Sequence, residues 1–462
     1  MAKEQLSAMA ICFHFPPVGS AGSPRAVQSL PQMHDEQIAI AVLTIDADTL
    51  HSNIFHRDET HVATVADLKT IRLNASGRRF SLQRKFPSLH KFVWFLAYPA
   101  ELDYGSAWAS RIKRWRRKLL KEVTPDVVYV SAPPFSSIAA GRRLANRAGS
   151  AFVIDYRDPW TVAPLSPSPS RAHFWWEQWH EKRLLRRADA VILNTPESMD
   201  AYCAWLPELA ERCEVVRNTA VPSSTDFEID TSASHRATGR HRTDQTFELA
   251  YVGTLYEDRV VRSRLGQYRR YAINETARSL AGLIGALKMT TPKTRSAIRV
   301  TVAGFVPPQQ REAVKEADLD RCFNFVGTVP HAESTRIASN ANALFLNQVA
   351  WVDDGLAMPH VPGKTYEYLN LGKPILCISA AGALRSLLED TPQALCFGLT
   401  DSVGVAAALD ELVAGTLRPM PHRQDSLPDP QHLAHEIAEV LRSAVERRRE
   451  QQSVDGSERA SG

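Results

Sequence analysis

Val361-Pro-Gly-Lys-Thr-Tyr-Glu-Tyr-Leu-Asn-Leu-Gly-Lys-Pro-Ile-Leu-Cys-Ile-Ser379 joins a tight loop, a short helix and a buried strand around one lysine and one glutamate. Pro362 and Gly363 break the preceding chain and start a helix, whose free N–H groups and positive dipole end favour an anion such as a diphosphate. Lys364 adds a full charge at that point. Glu367 falls in the first turn, where a carboxylate is favoured and can accept hydrogen bonds from two neighbouring hydroxyls, as on a ribose. Gly372 is expected to end the helix and Pro374 to open the strand. An ordinary helix-to-strand joint, with Glu367 complementing the dipole and Lys364 solvated, is the other reading of the same residues.

Outward from this segment, apolar runs alternate with amphipathic helical stretches, which predicts parallel sheets covered by helices. The pattern occurs twice. In the first half, residues 8–15, 38–45, 127–130, 152–155 and 190–194 read as short buried strands; in the second, residues 249–253, 299–304, 323–327, 343–347 and 374–379 do. The expectation is an α/β chain of two doubly wound parallel-sheet domains, with ligands at the carboxyl ends of the strands. The boundaries are set at 1–222 for the first domain, 223–246 for a polar linker and 247–430 for the second domain. A helix over 431–450 is expected to pack back across both domains, ahead of a disordered tail at 451–462.

Composition narrows the class. A chain of 462 residues exceeds what one core usually supports, and 44% apolar residues suffice for two. The net charge of +4 is too small to imply nucleic acid by itself. Six cysteines include no Cys-x-x-Cys pair, and several sit in apolar runs, as buried reduced thiols do. With no apolar run long enough to span a bilayer and no signal-peptide pattern, a cytoplasmic location is expected, possible attachment to the inner face of the membrane included.

Several strand ends collect chemistry. The first strand runs into Phe15-Pro-Pro-Val-Gly-Ser-Ala-Gly-Ser-Pro-Arg25, where Gly19 and Gly22 bare the backbone to a phosphate or hydroxyl and Arg25 supplies charge. The spacing is neither a dinucleotide fingerprint nor a Walker loop. The run 127–130 ends in the stiff Ser131-Ala-Pro-Pro-Phe-Ser-Ser137. The next ends in Arg157-Asp158-Pro159-Trp160, where Asp158 either contacts an acceptor hydroxyl or pairs with Arg157 to fix the loop.

In the second half, Gly253 and Thr254 open a loop to Arg259, which with Lys364 is expected to neutralise a leaving diphosphate; Arg262 and Arg264 are rivals for that part. Asp46-Ala-Asp48 matches a metal-binding Asp-x-Asp pattern by two residues only, and no metal is expected. Seven cations, Arg111, Lys113, Arg114, Arg116, Arg117, Lys118 and Lys121, follow the aromatic run Phe92-Val-Trp-Phe-Leu-Ala-Tyr98. They read either as a surface for an anionic membrane or as a solvated face; no nucleic-acid motif accompanies them.

Taken in order, the Phe-Pro-Pro loop, Pro125-Asp-Val-Val-Tyr-Val-Ser-Ala-Pro-Pro134, Asp155-Tyr-Arg-Asp-Pro-Trp160, Tyr251-Val-Gly-Thr-Leu-Tyr256 and the Pro-Gly-Lys-Thr-Tyr-Glu-Tyr-Leu segment resemble the family 4 glycosyltransferases of the GT-B fold, particularly bacterial members that build cell-surface polysaccharide. The resemblance implies two Rossmann-like domains facing a cleft, and metal-independent transfer of a sugar, commonly with retention, from a nucleotide-sugar donor to a glycan or lipid-linked acceptor. The donor would lie mostly on the second domain, on Gly253, Thr254, Gly363, Lys364 and Glu367, with Gly19 and Gly22 reaching it from the first. Glu367 matches the family's ribose-binding glutamate. The family's other glutamate, eight positions earlier, is replaced by Pro359 beside His360, and the Arg-rich run 259–270 blurs which cation matches the family's phosphate-binding pair. A nucleotide-sugar epimerase and a non-catalytic scaffold of the same fold remain open.

Overall fold

The computed structural model describes residues 4–19, 22–49, 56–74, 98, 102–219, 246–264, 267–353, 355–417, 419 and 429–461. The chain divides into two compact units, Met1–Thr219 with Ser263–Arg270 and Pro428–Gly462, and Ala220–Arg262 with Tyr271–Leu427. Of the expected linker only Thr246 is among the described residues.

The first unit is built on β1 (Leu6–Cys12), β2 (Ile38–Ile45), β3 (Lys69–Leu73), β4 (Val127–Ala132), β5 (Ala151–Tyr156), β6 (Ala190–Leu193) and β7 (Cys213–Val215). Their order is β3-β2-β1-β4-β5-β6-β7, parallel throughout. Every residue of β4, β5 and β6 is buried, which is why these strands read as continuous apolar runs. The edge strands β3 and β7 were not legible: Lys-Thr-Ile-Arg-Leu is half exposed, and Cys-Glu-Val has three residues.

The second unit holds β8 (Phe247–Val252), β9 (Ile298–Ala303), β10 (Phe323–Gly327), β11 (Ala343–Asn347), β12 (Ile375–Ile378) and β13 (Ala394–Phe397), in the order β10-β9-β8-β11-β12-β13 and again parallel. Both sheets wind outward in two directions from their first strand. Such sheets form their ligand crevice at the carboxyl ends where the order reverses, beside β1 and β4 in one unit and β8 and β11 in the other.

Two expectations need correction. The helix Pro430–Ser461, expected to pack back across both domains, belongs to the first unit: Leu433, Ile437, Leu441 and Ala444, at helical spacing, enter its core with β1, β4 and β5. Nor does it stop near residue 450. Arg449 pairs with Glu4 at 2.8 Å and Gln452 Nε2 donates to the Gly149 carbonyl at 2.9 Å, and the residues expected as a disordered tail extend the helix to Ser461 although Ser453-Val-Asp-Gly-Ser457 are poor helix formers.

The Arg-rich stretch forms short antiparallel strands, Val260–Val261 against Ile273–Asn274 against Ala350–Trp351. Residues 263–270 belong to the first unit, where Tyr268 exchanges backbone hydrogen bonds with Ser168 and Arg270 Nη1 donates to the Thr161 carbonyl at 3.0 Å. All six cysteines are free. No helix among the described residues is long and apolar enough to cross a membrane.

Candidate functional site

At the carboxyl edge of the second sheet, β8 and β9 end in two close backbone turns. Gly253 has φ +126° and donates its N–H to the Ala303 carbonyl at 2.8 Å; Gly304 has φ +138°, and a Cβ there would fall 2.1 Å from the Gly253 carbonyl oxygen. Only glycine fits both positions. Pro362 and Gly363 then start the helix Lys364–Asn370, which Gly372 ends at φ +63° as the sequence predicts. The helix is fastened to the strand by Tyr368, whose hydroxyl accepts from the Val252 N–H at 2.8 Å.

This places Lys364 beside Gly253, where a Cβ would stand 3.7 Å from Nζ. The ammonium lies over the Tyr251 ring, 3.5 Å from its centroid, and has no hydrogen-bond partner. Burial pulls the Lys364 pKa well below the usual ammonium range, and the positive charge of Arg278 pulls it further; Cys377 and Glu367 act the other way. A charge held in this way carries a standing desolvation penalty until an anion arrives.

Arg278 was missed from the sequence. It ends the turn Thr276–Arg278, stacks on Tyr256 with its guanidinium carbon 4.8 Å from the ring centroid, and is followed by Ser279, whose carbonyl accepts from Asn347 Nδ2 at 2.8 Å. Thus β11, at the switch point, steadies the segment that carries the cation. In the sequence it stands apart from Gly253, beyond the Arg-rich stretch 259–270 and just ahead of the helix Ala281–Met289.

Arg259, expected in that part, is not there. Its guanidinium is exposed and held by Glu257 at 2.5 Å and Glu275 at 2.7 Å. Glu367 lies in the first turn of the helix with its carboxylate half exposed, 3.7 Å from His331 Nε2. Thr254 is exposed, its carbonyl accepting from the Tyr251 hydroxyl at 3.0 Å, and Gly363 has open space where a Cβ would be. In place of the second family glutamate, Pro359 lies between Met358, bridged to Gly382, and buried His360, whose Nδ1 is 3.2 Å from the Met358 sulfur.

In the first unit, Gly19 pairs with His56 in a two-residue antiparallel ladder. Above Gly22 stands Arg157: a Cβ on Gly22 would fall 1.7 Å from Nη1. Arg157 is buried and donates from Nη2 to the Pro133 carbonyl, while Asp158 is exposed, so the expected Arg157–Asp158 pair does not form. Arg25 offers no charge to the loop either. It is engaged in a buried pair, its Nε 2.7 Å from Asp155 Oδ2, with Tyr129 also donating to that carboxylate. His14, at the end of β1, was overlooked because it sits between two phenylalanines. Its Nε2 is 2.7 Å from the Tyr104 hydroxyl, and burial and the charge of Arg157 hold the ring neutral, well below the usual imidazole range.

The Asp-x-Asp pair does not form a metal cluster: Asp48 pairs with Arg57 at 2.7 Å, and the Asp48 N–H donates to the Asp46 carboxylate. Among the described residues, Glu36, His435 and Glu439 bring three ligand-type atoms within 4.8 Å of one another on the surface, a group the sequence spacing concealed. Arg442 already supplies a cation there, 3.9 Å from Glu439 and bonded to the Glu36 carbonyl.

Comparison with known proteins supports the resemblance. Residues 23–219 match the family described as Glycosyl transferase 4-like domain. No curated protein matches the chain by sequence. Among solved structures, Anabaena Alr3699/HepE in complex with UDP-glucose is 13% identical with a TM-score of 0.51, over 97% of this chain and 100% of that one. The lipopolysaccharide outer core galactosyltransferase WaaB is 13% identical with a TM-score of 0.52, over 96% and 98%. The UDP-GlcNAc 2-epimerase from Neisseria meningitidis bound to UDP-GlcNAc is 11% identical with a TM-score of 0.52, over 94% and 99%. The two parallel-sheet domains are those of the GT-B fold.

Proposed function

From a GT-B fold whose residues 23–219 match a glycosyl transferase 4-like domain, we propose that the chain is a glycosyltransferase that takes a sugar from a nucleoside-diphosphate donor. One observation carries the reading. The buried ammonium of Lys364, without a hydrogen-bond partner and next to the charge of Arg278, is suited to receive an anion, at the sheet edge where such folds bind ligands. In the reaction, the bond between the anomeric carbon and the diphosphate oxygen breaks as the acceptor hydroxyl oxygen bonds to that carbon and gives its proton to the departing diphosphate, on whose oxygens charge grows. Arg278, and Lys364 once the diphosphate has favoured its protonated form, stabilise that charge. Stabilisation of this kind supplies most of the rate enhancement where charge develops on a leaving group, and it asks for no metal. Glu367 holds the ribose hydroxyls, and Gly253 and Gly363 let the phosphates approach the backbone. Arg259 takes no part in this scheme.

On the first unit, Arg157 over Gly22 and the exposed Asp158 lie at the carboxyl ends of the strands, where a glycan or lipid-linked acceptor is proposed to bind. Retention at the anomeric carbon is part of the proposal. The test is a screen of common nucleotide sugars against glycan and lipid-linked acceptors, with the anomer of the product read by NMR; loss of donor only in the presence of acceptor supports transfer.

A second reading has its own support, because an epimerase shares this fold at a comparable TM-score. An epimerase would convert a free nucleotide sugar with no acceptor present, and the same screen without acceptor separates the two.

A further inference from the structure

We propose that the face formed by the helices Ser106–Glu122, Ser136–Ala148 and Arg171–Leu185 docks the first domain on an anionic lipid surface. Residues 92–97 lie outside the described residues, and Tyr98 is buried with its hydroxyl donated to Glu177 at 2.7 Å. The apolar stripe of the basic helix itself, Trp108, Ala109, Ile112 and Leu119, faces the domain core, so that helix cannot insert alone. Only Trp115 remains outside, with the Lys118 ammonium 5.1 Å from its ring.

The inserting groups come from Arg171–Leu185. Trp175 and Trp179, one helical turn apart, are 58% and 55% exposed, a large apolar area for a soluble face. Arg171 stands 5.1 Å over the first ring and Arg183 5.5 Å over the second. Both acidic residues of this helix turn inward: Glu177 accepts from Tyr98 and from Trp160 Nε1, and Glu181 from Thr161 and Tyr202. Indoles ringed by cations, with the carboxylates withdrawn, are what an interfacial site needs.

The three helices act as one surface. They pack side by side, and cations from all three reach one ring: after burial, the charges of Lys113, Arg183, Arg142 and Arg143 push His180 down to about 4, while Trp179 lies 6.4 Å from that ring. Together the helices carry thirteen Lys and Arg and a single exposed carboxylate, Glu122, whereas the whole chain carries only +4, so the remainder is net negative. That asymmetry orients the molecule toward a negative surface.

The inference goes beyond the transfer reading, because binding is measured with neither donor nor acceptor. The full chain is sedimented with phosphatidylcholine vesicles with and without phosphatidylglycerol, and tryptophan quenching by brominated lipid is read on the wild type. Expected are binding only to the anionic vesicles, quenching by brominated chains, and about tenfold weaker partitioning for Arg142→Glu with Arg143→Glu, and likewise for Trp175→Ser with Trp179→Ser, at unchanged melting temperature. Equal binding to neutral vesicles, no binding, absent quenching, or folded variants that partition like the wild type would each overturn it. So would single-stranded RNA that displaces the vesicles and binds more tightly.

Discussion

The ammonium of Lys364 lies 3.5 Å from the centroid of the Tyr251 ring and hydrogen-bonds to nothing. The ring offers its negative face to the cation, which softens the cost of burial without replacing a counter-ion. Because burial depresses the Lys364 pKa in the folded chain below its unfolded value, the site favours the neutral amine, and stability is gained as pH rises toward the ordinary lysine range. A diphosphate reverses this preference. Binding of UDP or GDP is therefore expected to take up protons at neutral to mildly alkaline pH. Calorimetry in buffers of different ionisation enthalpy reads that uptake, which should vanish in Lys364→Met.

Arg278 and Arg259 differ by their surroundings. Arg278→Ala is expected to weaken nucleotide binding about ten- to a hundredfold, the usual loss of a charged contact. Arg259→Ala is expected to change neither binding nor, beyond about 0.5 kcal/mol, stability, since its guanidinium is half exposed and screened by solvent. Equal losses in the two variants would reinstate Arg259.

Gly22 and Arg157 make a steric pair. The backbone at Gly22 has φ −89°, which any residue accepts, so the cost of Gly22→Ala is the collision with the guanidinium alone. About 2 kcal/mol of destabilisation is expected in urea titrations, with most of it recovered when Arg157→Ala is added.

Glu181 makes stability depend on pH. Burial pushes its pKa up to about 7, against the pull of hydrogen bonds from Thr161 and Tyr202. With the folded value above the unfolded one, its contribution is complete below about pH 4.5 and is lost as pH rises through 7. His180, held at about 4, has the opposite slope between 4 and 6.5. Comparing the melting of the wild type with that of Glu181→Gln isolates the Glu181 contribution, on the order of 3 kcal/mol between about pH 5 and 8.

Arg25 and Asp155 are buried together, with side chains 3% and 0% exposed. Arg25→Ala strands the carboxylate and is expected to cost about 3 to 5 kcal/mol; Arg25→Lys should recover little, because Arg25 also bonds the Arg217 carbonyl and Asn218. Guanidinium unfolding checks both.

What the sequence disclosed follows from burial. Central strands such as Val127–Ala132 and Ile375–Ile378 are apolar on both faces and read directly, as did the helix start at Pro362-Gly363 and its stop at Gly372. Edge strands, half exposed or very short, did not. Gly253, Lys364 and Glu367 of the proposed donor site stand out in the sequence because loop and helix chemistry is local. Arg278 does not, because the Arg-rich stretch 259–270 separates it from Gly253 and its segment is held by residues distant in sequence, Asn347 of β11 and Gln310 among them. Arg25 misled for the same reason: its partner Asp155 lies 130 residues away, and a cation in a glycine loop looks the same whether free or paired.

The most direct test is calorimetric titration of UDP, GDP and inorganic pyrophosphate against the wild type, Lys364→Met and Glu367→Ala. One nucleotide is expected to bind the wild type. Lys364→Met should weaken both nucleotide and pyrophosphate at least about tenfold, and Glu367→Ala should weaken the nucleotide while leaving pyrophosphate unchanged. Nucleotide binding that is absent from the folded wild type, or that survives Lys364→Met intact, would contradict a donor site built on this lysine.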